Sequence, residues 1–294
     1  MLKVPEIFNR YEKVKSRLPQ AKSLNRIRDI EDLMDISKQI DVFVFDAFGV
    51  LNVGDALIEG SDLRLRELRS LGCKIRILTN AASHERSETV AKFLKLGIEI
   101  EADEIITSRD AALSALTPDY WGVIAAREDK LTDLNVDHLR LAHRVQDFDC
   151  VDGFLFLSSS GWTNVGQKLL ERSLKKRDRP VFVANPDLVA PRDYGFSIEP
   201  GYFGHLLADI GIKNVRFFGK PFPEVYDLVE ASLPDIATNK IAMCGDTLHT
   251  DILGAMARGW QTVLVTQDGL FSGYETDKYC SVSGIYPDWR LARI

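Results

Sequence analysis

Eight short apolar runs, separated by longer segments of helical pattern, restrict what this chain can fold into. They read DVFVFD at 41–46, KIRILTN at 74–80, WGVIAA at 121–126, DGFLFL at 152–157, PVFVAN at 180–185, VRFFG at 215–219, KIAMCGD at 240–246 and QTVLVT at 261–266. Such runs suit strands covered on both faces, and their alternation with helices builds parallel sheets. The expected class is α/β, a doubly wound, Rossmann-like parallel sheet. At 294 residues and 45% hydrophobic, the chain can bury a full core.

Several of the runs end in a polar residue: Asp46, Thr79 with Asn80, Lys220 after Gly219, and Asp246. Ligands of open parallel sheets bind beyond the carboxyl ends of the strands, so these four ends are expected to converge. The middle runs carry no comparable acidic ends. Residues 84–205 therefore read as an inserted second α/β domain, 41–83 and 206–270 as the core, and 271–294 as a short tail. Residues 1–40 place Leu24, Ile27, Ile30, Leu33, Met34 and Ile36 at helical spacing, predicting an amphipathic helical extension laid on the body.

The net charge of −6 disfavours nucleic acid and anionic membranes as partners, so any phosphate site must be built locally. Neither a signal-peptide core nor a run of membrane-spanning length is found, and a cytoplasmic protein is expected. Cys73, Cys150, Cys244 and Cys280 lie far apart and read as buried free thiols. Trp121, Phe154, Phe156 and Trp162 suit a core first and a homo-oligomer interface second.

In GDTLHTD at 245–251, Asp246 stands at a strand end beside a glycine, where a carboxylate can approach a hard cation, and Asp251 follows one helical turn later in a supporting role. A helix N-cap is an equally good reading of Asp246 and Thr247. In VFVFDAFGVLN, a very apolar strand delivers Asp46 into a turn, where desolvation demands a partner. A carboxylate there can attack phosphorus if a cation offsets the repulsion, and the backbone carbonyl of Phe48 can add an oxygen ligand. Thr79 and Asn80 can donate to phosphate oxygens, although both are ordinary turn residues. Lys220, between an apolar run and Pro221, can neutralise Asp46 and a transferring phosphoryl group.

With these elements in this order, the sequence resembles the haloacid dehalogenase-like superfamily. The long insertion and the segment VFVANPDLVAPRDYGFSIEPG at 181–201 are similar to the large-cap group, subfamily IIA, that contains N-acetylglucosamine-phosphate, phosphoglycolate and nitrophenyl phosphatases. The resemblance spans about residues 41–269. It implies a Mg²⁺-dependent phosphatase in which Asp46 is nucleophile and metal ligand. The Phe48 carbonyl, Asp246 and Asp251 would complete the metal site. Thr79, Asn80 and Lys220 would hold the phosphoryl group. Asn185 and Asp187 would sit near the cap interface, with a turn-forming Asn-Pro-Asp as the stronger reading. The implied partner is a small phosphorylated metabolite, with sugar phosphates, nucleotides and phosphoglycolate all open.

One position departs from the pattern. Most phosphatases of the superfamily carry a second aspartate two residues after the nucleophile, to protonate the leaving oxygen; here Phe48 stands there. Three outcomes compete: a phosphatase with another proton carrier, His249 or His84 being nearest in sequence; a dehalogenase-type hydrolase, disfavoured by the dense carboxylates; or a regulatory protein that binds a phosphorylated ligand without turnover.

Overall fold

The computed structural model describes residues 3–22, 26–142, 144–192 and 195–294. Leu24 of the expected N-terminal pattern lies outside them. All eight apolar runs form strands, and two parallel sheets result.

The larger sheet has seven strands in the order Arg28–Asp29, Trp289–Leu291, Gln261–Val265, Ile241–Gly245, Val42–Phe45, Lys74–Thr79, Ile105–Thr107. Its two central strands pair from Ile241 with Val42 to Cys244 with Phe45, so Asp46 and Asp246 leave the sheet side by side. Alternate residues of these strands feed two apolar clusters: Phe43, Phe45, Ile75, Ile77 and Cys244 in one, Val42, Val44, Leu78 and Met243 in the other. Burial on both faces explains why the runs are apolar throughout, each large side chain contributing roughly 1.5–3 kcal/mol.

The second sheet has five parallel strands in the order Val215–Phe217, Val181–Val183, Gly153–Phe156, Trp121–Ile124, His138–Arg140. Trp121, Leu155, Phe182 and Phe218 share one apolar cluster with Val42, Leu78 and Met243 of the larger sheet. Trp121, Phe154 and Phe156 are fully buried, and Trp162 packs against the cluster of the last two.

Sheet membership crosses the expected 84–205 limits. Strand Ile105–Thr107 joins the larger sheet, while Val215–Phe217, expected in the core, is an edge of the second. Lys220 therefore enters from the second sheet, and the four polar ends belong to two sheets whose carboxyl edges meet.

The chain ends also differ from expectation. A helix runs over Val4–Val14, burying Val4, Ile7, Phe8, Tyr11 and Val14 on one stripe. Residues 28–36 are not an extended helix: Arg28–Asp29 is a strand parallel to Trp289–Leu291, and Leu33–Asp35 is a single 3₁₀ turn capped by Asp32. Leu33 and Ile36 are buried nonetheless, so helical spacing here reflects a surface-hugging connector. The expected tail supplies helix Asp277–Ser283 and strand Trp289–Leu291, which pairs with Val263–Val265. Cys73, Cys244 and Cys280 are buried free thiols as expected, whereas Cys150 is exposed. Among the described residues no helix is long and apolar enough to cross a membrane.

Candidate active site

Where the carboxyl edges of the sheets meet, a cavity of about 810 Å³ opens, walled by Asp46, Phe48, Thr79, Asn80, Asn185, Asp187 and Asp246 among others. Lys220 lies beneath it, almost completely buried. Its Nζ stands 2.6 Å from Asp46 Oδ1 and 2.8 Å from Asp251 Oδ1, and donates to the carbonyl of Leu78 at 2.9 Å. Burial alone would push the lysine pKa down; Asp251 and Asp46 outweigh it and leave the group firmly protonated.

The carboxylates are held by backbone that only particular residues allow. Asp46 Oδ1 accepts from the amide of Ala47 at 2.7 Å. Asp246 Oδ2 accepts from the amide of Leu270 at 2.6 Å, and its Oδ1 from the Thr247 hydroxyl at 2.8 Å. Asp251 Oδ2 accepts from the amide of Thr247 at 3.0 Å. A Cβ on Gly245 would come 2.2 Å from the Asp251 side chain, and one on Gly269 2.1 Å from Asp246 Oδ2, so both glycines are needed for close approach. Gly269 and Leu270 carry no motif signal around them, so nothing local in the sequence marks either.

Asp46, Asp246 and Asp251 each bring one oxygen within 4.8 Å of the others. Burial raises the pKa of Asp46 to about 6 against the pull of Lys220. Burial, reinforced by Asp251 and Asp46, raises that of Asp246 to about 8. Asp46 and Asp251 share one ammonium and Asp246 crowds them, which leaves excess negative charge in a desolvated place, and every donor is a hard oxygen. That set fits a hard divalent cation such as Mg²⁺.

Asn80 ties the two sheets together. Its Oδ1 accepts from the Lys220 amide at 2.8 Å, and its Nδ2 donates to the Lys220 carbonyl at 3.0 Å and to Asp187 Oδ1 at 2.9 Å. Burial holds the Asp187 carboxyl well above its ordinary pKa, only partly offset by Lys220. Asn185 forms the turn, its Oδ1 accepting from the Asp187 amide at 2.9 Å while its Nδ2 reaches Glu199 at 3.2 Å. Thr79 lines the cavity, and its hydroxyl accepts from the amide of Ala81 at 3.2 Å.

The two histidines part company. His249 is buried away from the cavity, with Nε2 2.6 Å from Glu12 Oε1 and its ring stacked on Tyr11. His84 lines the cavity, beside Glu88 at 3.3 Å. The N-terminal helix therefore braces the site twice, since Tyr11 also accepts from the amide of Leu188, next to Asp187, at 3.2 Å. Neither Tyr11 nor Glu12 was singled out from the sequence.

Two family models match the chain. One, described as haloacid dehalogenase-like hydrolase, covers residues 43–132, and a second, HAD-hydrolase-like, covers 217–280. Between them they include Asp46, Thr79, Asn80, Lys220, Asp246 and Asp251.

The chain belongs to the haloacid dehalogenase-like hydrolases.

Among relatives of this hydrolase, the chloroplastic phosphoglycolate phosphatase 1A of Arabidopsis thaliana is 28% identical over 269 residues, covering 84% of this chain and 73% of the relative. The acid sugar phosphatase of Staphylococcus saprophyticus is 25% identical over 245 residues, 82% of this chain and 92% of its own. A solved structure described as a possible sugar phosphatase from Cytophaga hutchinsonii superposes with a TM-score of 0.79 at 25% identity, covering 91% of this hydrolase and 98% of that chain.

Proposed function

We propose that this hydrolase is a phosphatase of small phosphorylated metabolites, sugar phosphates among them, working with Mg²⁺ through an aspartyl-phosphate on Asp46. The observation that carries the reading is the Asp46 carboxylate 2.6 Å from a buried ammonium and inside a three-carboxylate cluster at the head of a cavity. The named activities of the relatives support it.

In this reading Asp46 attacks phosphorus, forming an acyl phosphate as the bond to the ester oxygen breaks. Lys220 neutralises charge on Asp46 and on the phosphoryl oxygens as it develops, the role that pre-positioned cations serve best. Thr79 orients the group, while the Asn80 side chain, expected to donate to phosphate, is taken up by Lys220 and Asp187 and acts by holding Lys220 in place. Water then attacks the phosphorus of the acyl phosphate and frees Asp46. Asp46, Asp246 and the Phe48 carbonyl, with Asp251 in support, would hold the Mg²⁺, which when bound offsets the repulsion between carboxylate and phosphate. The second sheet and the antiparallel strand pair Val189–Arg192 and Gly195–Ile198 act as a cap that shields the site from water and reads the leaving group. Asn185 keeps Asp187 facing the phosphate end.

Phe48 cannot transfer a proton, and losing a positioned acid/base costs about 10²–10⁴-fold in rate. His249 is engaged elsewhere, so the cavity offers as carriers His84 and Asp187, whose carboxyl burial shifts toward holding its proton. The same phenylalanine favours a second reading, a sensor that binds a phosphorylated ligand without turnover. Phosphate release from a panel of small phosphoesters, with Mg²⁺ and with chelator, for wild type and Asp46→Asn, separates the two. Mg²⁺-dependent turnover lost in the variant is expected. Metal binding without turnover on any ester would favour the sensor.

A further inference from the structure

Phe48 does more than leave a proton carrier out. Two cations brought from different parts of the chain stand over its ring. Lys92 Nζ, on helix Arg86–Lys95, is 4.5 Å from the ring centroid, and Arg192 Cζ, at the end of strand Val189–Arg192, is 5.4 Å from it. Phe48, Lys92 and Arg192 all wall the cavity that holds Asp46.

These charges are poorly compensated. Lys92 has Asp55 at 3.8 Å, a carboxylate that is fully exposed, and otherwise donates to the Gly54 carbonyl at 3.3 Å. Burial holds the Lys92 pKa below its ordinary value, and the charge of Arg192 works in the same direction. Arg192 donates to Ser197 at 3.0 Å and reaches Glu199 at 3.4 Å, a carboxyl that burial raises. Of the other charged groups on this wall, Glu88 is beside His84. Two half-buried like charges drawn to one ring repel each other, and an anion set between them would convert that repulsion into two charge-assisted contacts. Phe48 follows Asp46 by two residues, so their Cα atoms are at most about 7 Å apart. One small molecule can reach both places.

We propose that Lys92 and Arg192, held on the ring of Phe48, form a second anion subsite, so that the molecule taken here carries a carboxylate or a further phosphate besides the scissile phosphoester. The proposal rests on the phosphatase reading for its substrate language, but the subsite is a binding claim that stands or falls separately. Phe48 then serves as an apolar floor that keeps the two cations apart from Asp46 and in register with it.

The test compares kcat/KM for propyl phosphate, its ω-carboxylate analogue and its ω-phosphate analogue, in wild type, Lys92→Gln and Arg192→Gln. Both side chains are half-exposed, so the variants should fold, which circular dichroism checks. Wild type is expected to prefer at least one doubly anionic probe by about tenfold or more, through a lower KM, and each variant to bring that ratio toward one. Preference for the carboxylate or the phosphate probe names the group. Equal kcat/KM for all three probes in wild type, or a preference that survives both substitutions, overturns the subsite. Calorimetry with propylphosphonate and its ω-carboxylate and ω-phosphonate analogues separates the two claims. Tighter binding of a doubly anionic phosphonate, lost in the variants, keeps the subsite even if no ester is hydrolysed. Equal binding of all the phosphonates by a protein that does hydrolyse esters removes the subsite and leaves the phosphatase reading.

Discussion

At the scale of single residues, the site is a balance between burial and charge. Asp46 and Asp246 are held near pKa 6 and 8, well above the value of about 4 expected in the unfolded chain. The folded state thus binds these protons more tightly, so the metal-free protein loses stability as pH rises from about 4 through both values. A divalent cation binds the deprotonated carboxylates and gains affinity over the same window. Thermal melts should therefore show a larger rise in Tm on adding Mg²⁺ at pH about 8 than at about 5; equal rises would mean these carboxylates do not hold the ion. Phe48 is the other residue-scale lever. Phe48→Asp places a carboxyl where a proton carrier is expected, and kcat on small phosphoesters should climb by about 10²-fold. An unchanged kcat would show that another group already performs the transfer. The variant also removes the ring on which Lys92 and Arg192 rest.

At the scale of elements, the helix Val4–Val14 is the part whose role was least foreseeable. Its stripe of Ile7, Phe8 and Tyr11 packs with Leu248 and Ile252 of the Asp246–Asp251 segment and with Phe271, next to the Leu270 whose amide holds Asp246. Phe8 is 3% exposed and edges onto His249 and Tyr279. Phe8→Ala should cost about 3–5 kcal/mol in urea unfolding, because neighbours on three elements cannot all collapse into the hole. It should also lower turnover by loosening the loop that His249 and Glu12 pin. A cost below about 1 kcal/mol would mean the helix only rests on the surface.

At the scale of the whole molecule, the two sheets are not independent bodies on a string. One apolar cluster contains Val42, Leu78 and Met243 from the larger sheet with Trp121, Leu155 and Phe182 from the second. Asn80 adds hydrogen bonds across the same junction. Unfolding should then be one cooperative transition, with tryptophan fluorescence and far-ultraviolet circular dichroism giving coincident midpoints in urea. Two separated transitions would show that each sheet holds its own core.

Much was legible in the sequence because it is local. A strand buried on both faces must be an unbroken apolar run, and the residue that ends it at the carboxyl edge stands out as polar; thus all eight principal strands, Asp46, Thr79, Asn80, Lys220 and Asp246 could be marked from the chain alone. Asp251 was legible for a related reason, as a carboxylate one helical turn after Asp246, whereas the room that Gly245 leaves for its side chain appeared only in the fold. The rest depends on partners far away in the chain. The two- and three-residue strands at Arg28–Asp29 and Trp289–Leu291 are too short to show a period and exist because Trp289–Leu291 adds to Gln261–Val265 and Arg28–Asp29 adds to it in turn. The strand before Lys220 joins the second sheet through its pairing with Val181–Val183, which no local pattern encodes. Likewise the sequence marked Phe48 as a missing acid, but only the fold brought Lys92 and Arg192 to its ring. Non-local pairing and the desolvation of charges are properties of the assembled core, so the chain alone determined which groups are available and the tertiary structure decided which of them meet.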